Sequence, residues 1–298
     1  MLRILRTGVT LATGLMAVAG MTASQQAQAT ENRLVTLDYA VYVGGWETIR
    51  ISFDTQFRPG AYHMKTALDG QGVLNWWFDW KMSAFSEGRL ADGRVIPVRA
   101  GADSQWNGKR RRTLLSYPTS GPNSGVKSGP KSRLAAGLPL VTITPPAKDD
   151  DRDPVPDALR AGARDLSGAV LTLLSTIGRK NGCTLREPVF DGRRRYDLVM
   201  TQLGRVQMAA SDYSPYSGLA HKCSLKVDAI AGYRRNRENR RKWRKSDTTT
   251  VWVGSVFDTV PPVPVRLQLD SVVGAVIAHL VKAELHAGGK VRQLSAVP

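Results

Sequence analysis

The chain of 298 residues carries 42 basic and 25 acidic side chains, which gives a formal net charge of +17 at pH 7. Beyond its N-terminal segment no stretch is long and apolar enough to span a bilayer, which excludes a helical protein with several membrane spans. The basic excess indicates either anionic neighbours or a surface that merely keeps the protein in solution, and it carries no information about the fold.

The first 29 residues have the order of a secretory signal peptide. Two arginines precede an uncharged stretch from Thr7 to Gln25, and Ala27 and Ala29 form an A-x-A cleavage pattern. An uncleaved membrane anchor is the alternative, although the apolar part is short and diluted by Gly and Thr. We therefore expect cleavage after Ala29, a periplasmic location, and one mature β domain over residues 30–298, whose charge is +17 minus two arginines, or +15.

From Leu34 onward the hydrophobic pattern has mostly period two, as half-buried strands require. Gly44-Gly45, Asp92-Gly93 and Asp191-Gly192 each stand between two such runs and predict tight hairpins. The later segments TTTVWVGSVF and VPVRLQL are further β-branched runs. The pattern predicts a mainly β protein with a long antiparallel sheet, either open or closed into a barrel.

An aromatic segment, GVLNWWFDWKMSAF, occupies residues 72–85. Read as a strand, it places Trp76, Phe78, Trp80 and Met82 on one face and mostly polar side chains on the other. A short helical turn at its start is the alternative. We interpret the four side chains as part of the inner face of the sheet and as candidates for binding an apolar ligand.

Three further segments complete the expected fold. Residues 117–153 are rich in Gly, Pro and Ser and predict a long loop. The segment DLSGAVLTLLSTIGRK predicts one mid-chain helix, with Asp165 as N-cap and Gly182 at its end. Residues 274–285 fit a strand and an amphipathic helix equally well.

The chain contains two cysteines, Cys183 and Cys223. In an oxidising compartment two cysteines of a secreted domain usually pair, which predicts a disulfide. The alternative is a reactive thiol assisted by His221. If the disulfide forms, its loss would reduce stability rather than abolish a reaction.

Patterns typical of catalysis are missing from the sequence. The four histidines are scattered without metal-ligand spacing, and neither a G-x-S-x-G elbow nor a P-loop occurs. The acidic run Asp149 to Asp151 has prolines on both sides, which indicates a solvated loop. We expect no enzyme, no catalytic residue, no metal and no cofactor, while an enzyme acting on the envelope is the less favoured alternative.

A basic segment, residues 234–245, lies between two predicted strands, and eight of its twelve residues are Arg or Lys. Guanidinium groups pair with phosphate, and indole prefers the boundary between water and acyl chains. We expect contact with anionic lipid, lipopolysaccharide or peptidoglycan, and not with nucleic acid, because the protein is exported. The alternative is a solvated hairpin. The candidate contact residues are Arg234, Arg235, Arg237, Arg240, Arg241, Lys242, Trp243, Arg244 and Lys245.

The chain resembles a bacterial envelope family catalogued as domain of unknown function 3108. The resemblance rests on the order of five motifs, SEGRLADGRVIPV, DLSGAVLTLL, EPVFDGRRRYDL, LAHKCSLKVDAIAGY and VWVGSVFDTVPPVPVRLQL. It implies a long antiparallel sheet curled into an open barrel around a helix, similar to periplasmic lipoprotein carriers. It also favours a strand over residues 274–285, and it provides no counterpart for the basic segment.

Together these patterns predict an exported, non-enzymatic envelope protein that binds an apolar or lipid-like ligand or supports envelope integrity. The alternative is a structural adaptor that contacts cell-wall polymer, or another envelope component, through the basic segment. The sequence leaves the oligomeric state open.

Overall fold

The computed structural model describes residues 31–71, 80–91, 93–118, 137–146, 152–234, 248–272 and 274–295. The predicted signal peptide lies outside the described residues, as do Trp76 and Phe78 of the aromatic segment. All candidate contact residues of the basic segment except Arg234 also lie outside them.

Fourteen strands and two helices make up the described chain. The first seven strands are β1 Arg33–Val43, β2 Trp46–Arg58, β3 Ala61–Gly70, β4 Trp80–Ala91, β5 Arg94–Trp106, β6 Lys109–Ser116 and β7 Leu140–Thr144. Two helices follow, α1 Asp157–Arg160 and α2 Leu166–Lys180. The remaining strands are β8 Leu185–Phe190, β9 Arg195–Met208, β10 Gly218–Ala231, β11 Thr248–Gly254, β12 Val263–Ser271, β13 Gly274–Ala287 and β14 Lys290–Ser295.

All these strands belong to one antiparallel sheet, which confirms the predicted fold class. The order is β7-β6-β5-β4-β3-β2-β1-β13-β12-β11-β10-β9-β8, and β14 pairs with β13 outside this path. Two meanders, β1 to β7 and β8 to β13, are therefore joined where β1 pairs with β13. The sheet is not closed, because β7 and β8 form its two ends.

The hairpins follow the predicted turn chemistry. Gly44 and Gly45, between β1 and β2, have φ values of 58° and 92°, in the region that favours glycine. Gly192, between β8 and β9, has a φ of 92°, and Gly93, the described residue of the turn predicted between β4 and β5, has a φ of 69°. Residues 274–285 lie within β13, so the strand interpretation favoured by the family resemblance is confirmed.

Helix α2 begins at the predicted position. The Asp165 carboxylate accepts a hydrogen bond from the Gly168 amide at 2.9 Å, which caps the helix. Asn181, with φ of 54°, ends it and donates its N–H to the Ile177 carbonyl. The predicted end at Gly182 is therefore one residue late, because Asn also tolerates the left-handed conformation.

Two elements were not predicted. Strand β7, with sequence LVTIT, interrupts the loop expected over residues 117–153, because its alternating aliphatic side chains pair with β6. Helix α1 brings the number of described helices to two, where one was expected. Its single turn is too short to leave a periodic signal. Neither helix has the length and hydrophobicity that a membrane span requires, in the part of the chain that is described.

The core surrounds α2, which packs against β4, β5 and β8 and so contacts both meanders. Its fully buried Ile177 belongs to a cluster with the second meander, whereas Leu171 belongs to a cluster with β1, β3 and β13. The predicted disulfide is confirmed: Cys183 and Cys223 are bonded, with their Cα atoms 6.3 Å apart. It joins the segment after α2 to β10.

Arg164, two residues before α2, connects the two meanders. The Arg164 amide donates to the Pro188 carbonyl at 3.0 Å, and the Arg164 carbonyl accepts from the Phe190 amide at 2.8 Å. The Arg164 side chain donates to the Val95 carbonyl at 3.1 Å and pairs with Glu187. These contacts connect β5 of the first meander to β8 of the second, although the two strands are not paired in the sheet.

Candidate ligand-binding face

The inner face of the sheet is the face on which α2 packs. The sheet has a lower end, where β2 is connected to β3 and β4 to β5, and an open end, where β1 is connected to β2, β5 to β6 and β12 to β13. The helix lies toward the lower end. Its N-cap Asp165 contacts Ser86 on β4, and the side chain of Arg179, in its last turn, lies beside Gly93.

Burial differs sharply between the two halves of the inner face. Toward the lower end, Val35, Tyr62, Met64, Val95 and Leu285 are all buried. Toward the open end, a set of apolar side chains remains partly exposed, and we call this set the uncovered face. It consists of Ile49, Ile51, Leu68, Trp80, Met82, Leu267, Leu269 and Val276.

Strand register makes the uncovered face continuous. Ile51 lies opposite Leu68, and Leu68 lies opposite Met82, so one row crosses β2, β3 and β4. Directly paired residues of antiparallel strands share a face. Across the β1–β13 junction Val43 lies opposite Val276, which in turn lies opposite Leu269 on β12. The result is a broad apolar surface shared by both meanders rather than an enclosed cavity.

Two of the four aromatic-segment residues predicted to bind an apolar ligand are described. Trp80 and Met82 lie on the uncovered face, on the same side of β4 as Ser86, which bonds the N-cap of α2. Trp76 and Phe78 lie outside the described residues. Sequence reasoning missed the other members of the face, since each shows only a local alternation and the sequence does not reveal which strands are neighbours.

Trp80 also contacts Trp106 across β4 and β5, with ring centroids 6.2 Å apart and planes inclined by 65°. Because Trp80 is only partly buried, we expect Trp80→Ala to lower the free energy of unfolding by about 1 to 2 kcal/mol, less than a fully buried tryptophan. Chemical denaturation of Trp80→Ala, Trp106→Ala and the double variant measures their coupling. Strictly additive losses would contradict an interaction between the two rings.

A buried polar cluster fixes the position of α2. The Ser86 hydroxyl donates to the Asp165 carboxylate at 3.1 Å, and the hydroxyls of Tyr62 and Ser86 are 3.1 Å apart. Burial raises the pKa of Asp165, against the opposing effect of these hydrogen bonds. Since the carboxylate is engaged in capping, the cluster is structural. It sets the boundary between the covered and uncovered halves of the inner face.

The opposite, outer face has a groove of about 780 Å³ between β2 and β6. There Glu87 lies 3.2 Å from His63 and 3.4 Å from Arg99. Asp103 pairs with Arg110 and Arg112, and these guanidinium groups lower its pKa to about 2. These carboxylates already have cationic partners, so the groove differs in character from the apolar uncovered face.

Arg234, the described residue of the basic segment, forms an isolated β-bridge with Arg152 beyond the end of β10. Among the described residues, no three His, Cys, Asp or Glu side chains come together in a geometry that could hold a metal ion. The structure therefore brings no described member of the basic segment to the uncovered face.

Similarity to known proteins is found in a solved structure and in a family model. The chain is similar to a crystal structure of a β-barrel-like protein of domain of unknown function DUF1849 from Brucella abortus, with 8% identity and a TM-score of 0.46. The match covers 86% of this chain and 98% of that one. No curated protein matches. The family model for proteins of unknown function DUF3108 matches residues 38–281. Because this match spans most of the chain, the protein belongs to the DUF3108 family.

Proposed function

We propose that this protein is an exported, non-enzymatic component of the cell envelope that holds an apolar or lipid-like ligand against the uncovered face. The observation that carries the proposal is the contrast in burial along the inner face. The lower half is covered by α2 and buried, while apolar side chains of five strands remain partly exposed toward the open end. Bringing an acyl chain onto such a surface removes apolar area from water on both sides.

A periplasmic location is part of the proposal. The order of charged, apolar and small residues at the N-terminus supports export. The Cys183–Cys223 disulfide agrees with an oxidising compartment. A carrier also needs no catalytic constellation, and the buried polar cluster at Asp165 serves the helix.

The test is binding of an environment-sensitive naphthylamine dye, followed by fluorescence. We expect Leu68→Gln with Met82→Gln to weaken dye binding by about tenfold or more, since each removes apolar contact area from the uncovered face. Leu114→Gln is the matched control, because Leu114 is a partly buried leucine that lies opposite Gly101 on the outer face.

Unchanged dye affinity in the Leu68/Met82 variant, or equal loss in Leu114→Gln, would contradict the proposal. Mass spectrometry of lipid extracts from protein purified out of its native envelope gives an independent result. Absence of any co-purifying lipid or acylated molecule would favour the adaptor function, which binding to purified peptidoglycan over a salt series then tests.

A further inference from the structure

Three of the four described tryptophans lie at the open end of the sheet. Trp46 begins β2, Trp80 begins β4 and Trp106 ends β5. Register places Trp46 opposite Val43 and Trp80 opposite Trp106, on the inner side of the sheet. The fourth, Trp252, lies opposite Arg266 on the outer side. The tryptophans therefore border the uncovered face where it reaches solvent.

These side chains are exposed to an extent that folding does not explain. Trp46 is 78% exposed and Trp106 49%, and Val272, in the turn between β12 and β13, is 52% exposed. The turn between β1 and β2, which precedes Trp46, is adjacent to the start of β13, since the Gly44 amide donates to the Ala275 carbonyl at 3.3 Å. Large apolar side chains that are so exposed at the tips of hairpins bury little area in the core, so they indicate a binding surface.

Cationic side chains accompany the tryptophans. Lys109, at the start of β6, lies directly opposite Trp106 and so beside its ring, whereas Lys81, next after Trp80 on β4, points to the outer face at the same end of the sheet. Both lysines are exposed. An indole ring with an ammonium group beside it suits the boundary of an anionic bilayer, where the ring occupies the head-group level and the cation meets phosphate.

We propose that the open end docks on an anionic phospholipid bilayer through a rim formed by Trp46, Trp106, Val272, Lys81 and Lys109. This inference rests on the proposed function, because the rim surrounds the mouth of the uncovered face. In the docked position the apolar face opens directly toward the bilayer. A lipid-like ligand then passes between membrane and protein without crossing water.

The test uses the full mature protein and vesicles of phosphatidylglycerol and phosphatidylcholine, with binding measured by cosedimentation. We expect Trp46→Ser with Trp106→Ser to weaken partitioning by about a hundredfold, roughly tenfold for each indole. The matched control is Leu203→Ser with Leu219→Ser, since these side chains are 55% and 54% exposed on β9 and β10, away from the open end. This control should bind vesicles as the wild type does.

Wild-type partitioning of the Trp46/Trp106 variant, or an equal loss in the Leu203/Leu219 control, would overturn the proposal. Replacing Lys81 and Lys109 by Gln should also weaken binding, and raising the salt concentration should then have less effect than on wild type.

Failure of docking is distinguishable from failure of the proposed function. The Trp46/Trp106 variant should still bind the naphthylamine dye in the absence of vesicles, whereas the Leu68/Met82 variant should bind vesicles but not dye. Loss of dye binding together with vesicle binding in the rim variant, with an unchanged unfolding midpoint, would show that the tryptophans belong to the ligand site and not to a docking rim.

Discussion

A protein in which both Cys183 and Cys223 are replaced by serine should unfold with a free energy about 4 kcal/mol below that of the wild type. The two cysteines are 40 residues apart in sequence, and the bond removes the freedom of that loop from the unfolded chain. Both side chains are fully buried in the cluster that holds Ile177 of α2. Urea denaturation of the oxidised protein and the double variant measures the difference.

Wild-type protein kept in reductant is the natural control, because it should approach the stability of the double variant. Cys223→Ser alone should give nearly the same loss, since one cysteine cannot form the bond. A midpoint unchanged by reduction would mean that the unfolded chain gains no freedom from opening this loop, which contradicts the prediction.

The second large effect concerns the cap of α2. We expect Asp165→Ala to lower the free energy of unfolding by about 3 kcal/mol, the sum of a lost N-cap and a buried hydroxyl left without its acceptor. That hydroxyl belongs to Ser86, which is fully buried. Asp165→Asn keeps an oxygen for the Gly168 amide and should be much milder. Equal losses in the two variants would contradict a capping role.

Comparing wild type with Asp165→Asn also reports how burial affects the pKa of Asp165. Burial raises this pKa in the folded state above its unfolded value of about 3.9, so the folded protein binds the proton more tightly. The stability contributed by this group is complete below the unfolded pKa and is lost as the pH rises through the folded pKa. The difference in stability between wild type and Asp165→Asn should therefore shift against the wild type as the pH increases from about 4 toward neutrality. A difference independent of pH would show that hydrogen bonds cancel the effect of burial.

The local features of this fold were readable from the sequence because each depends on neighbouring residues. Alternation in TIRISFDTQF, the glycines of the β1–β2 turn and Asp165 ahead of an apolar run all act over a few positions. Residues 274–285 required the family resemblance, since the apolar residues there fit the period of a strand and that of an amphipathic helix equally well. Strand β7 was hidden by the Gly, Pro and Ser around it.

The candidate site was predictable only in part for the same reason. Trp80 and Met82 stand out within a single strand, but Ile51 and Leu68 join them only through strand register. Register between distant strands depends on the complete sheet, and local periodicity does not encode it. The extent of the uncovered face likewise depends on where α2 stops covering the sheet. The contact between Asp165 and Ser86 fixes that position.

The pairing of β1 with β13 has a consequence for how the molecule acquires its structure. Every other pairing along the main path joins strands that are consecutive in the chain. Each meander can therefore form by adding one strand after another to a first hairpin. Val43 meets Val276 only after nearly the whole chain is present. Until then the amides and carbonyls along one edge of β1 are unpaired and can form hydrogen bonds with a strand of another chain. A nascent first meander is therefore prone to aggregate along β1 until β13 of the second meander pairs with that strand.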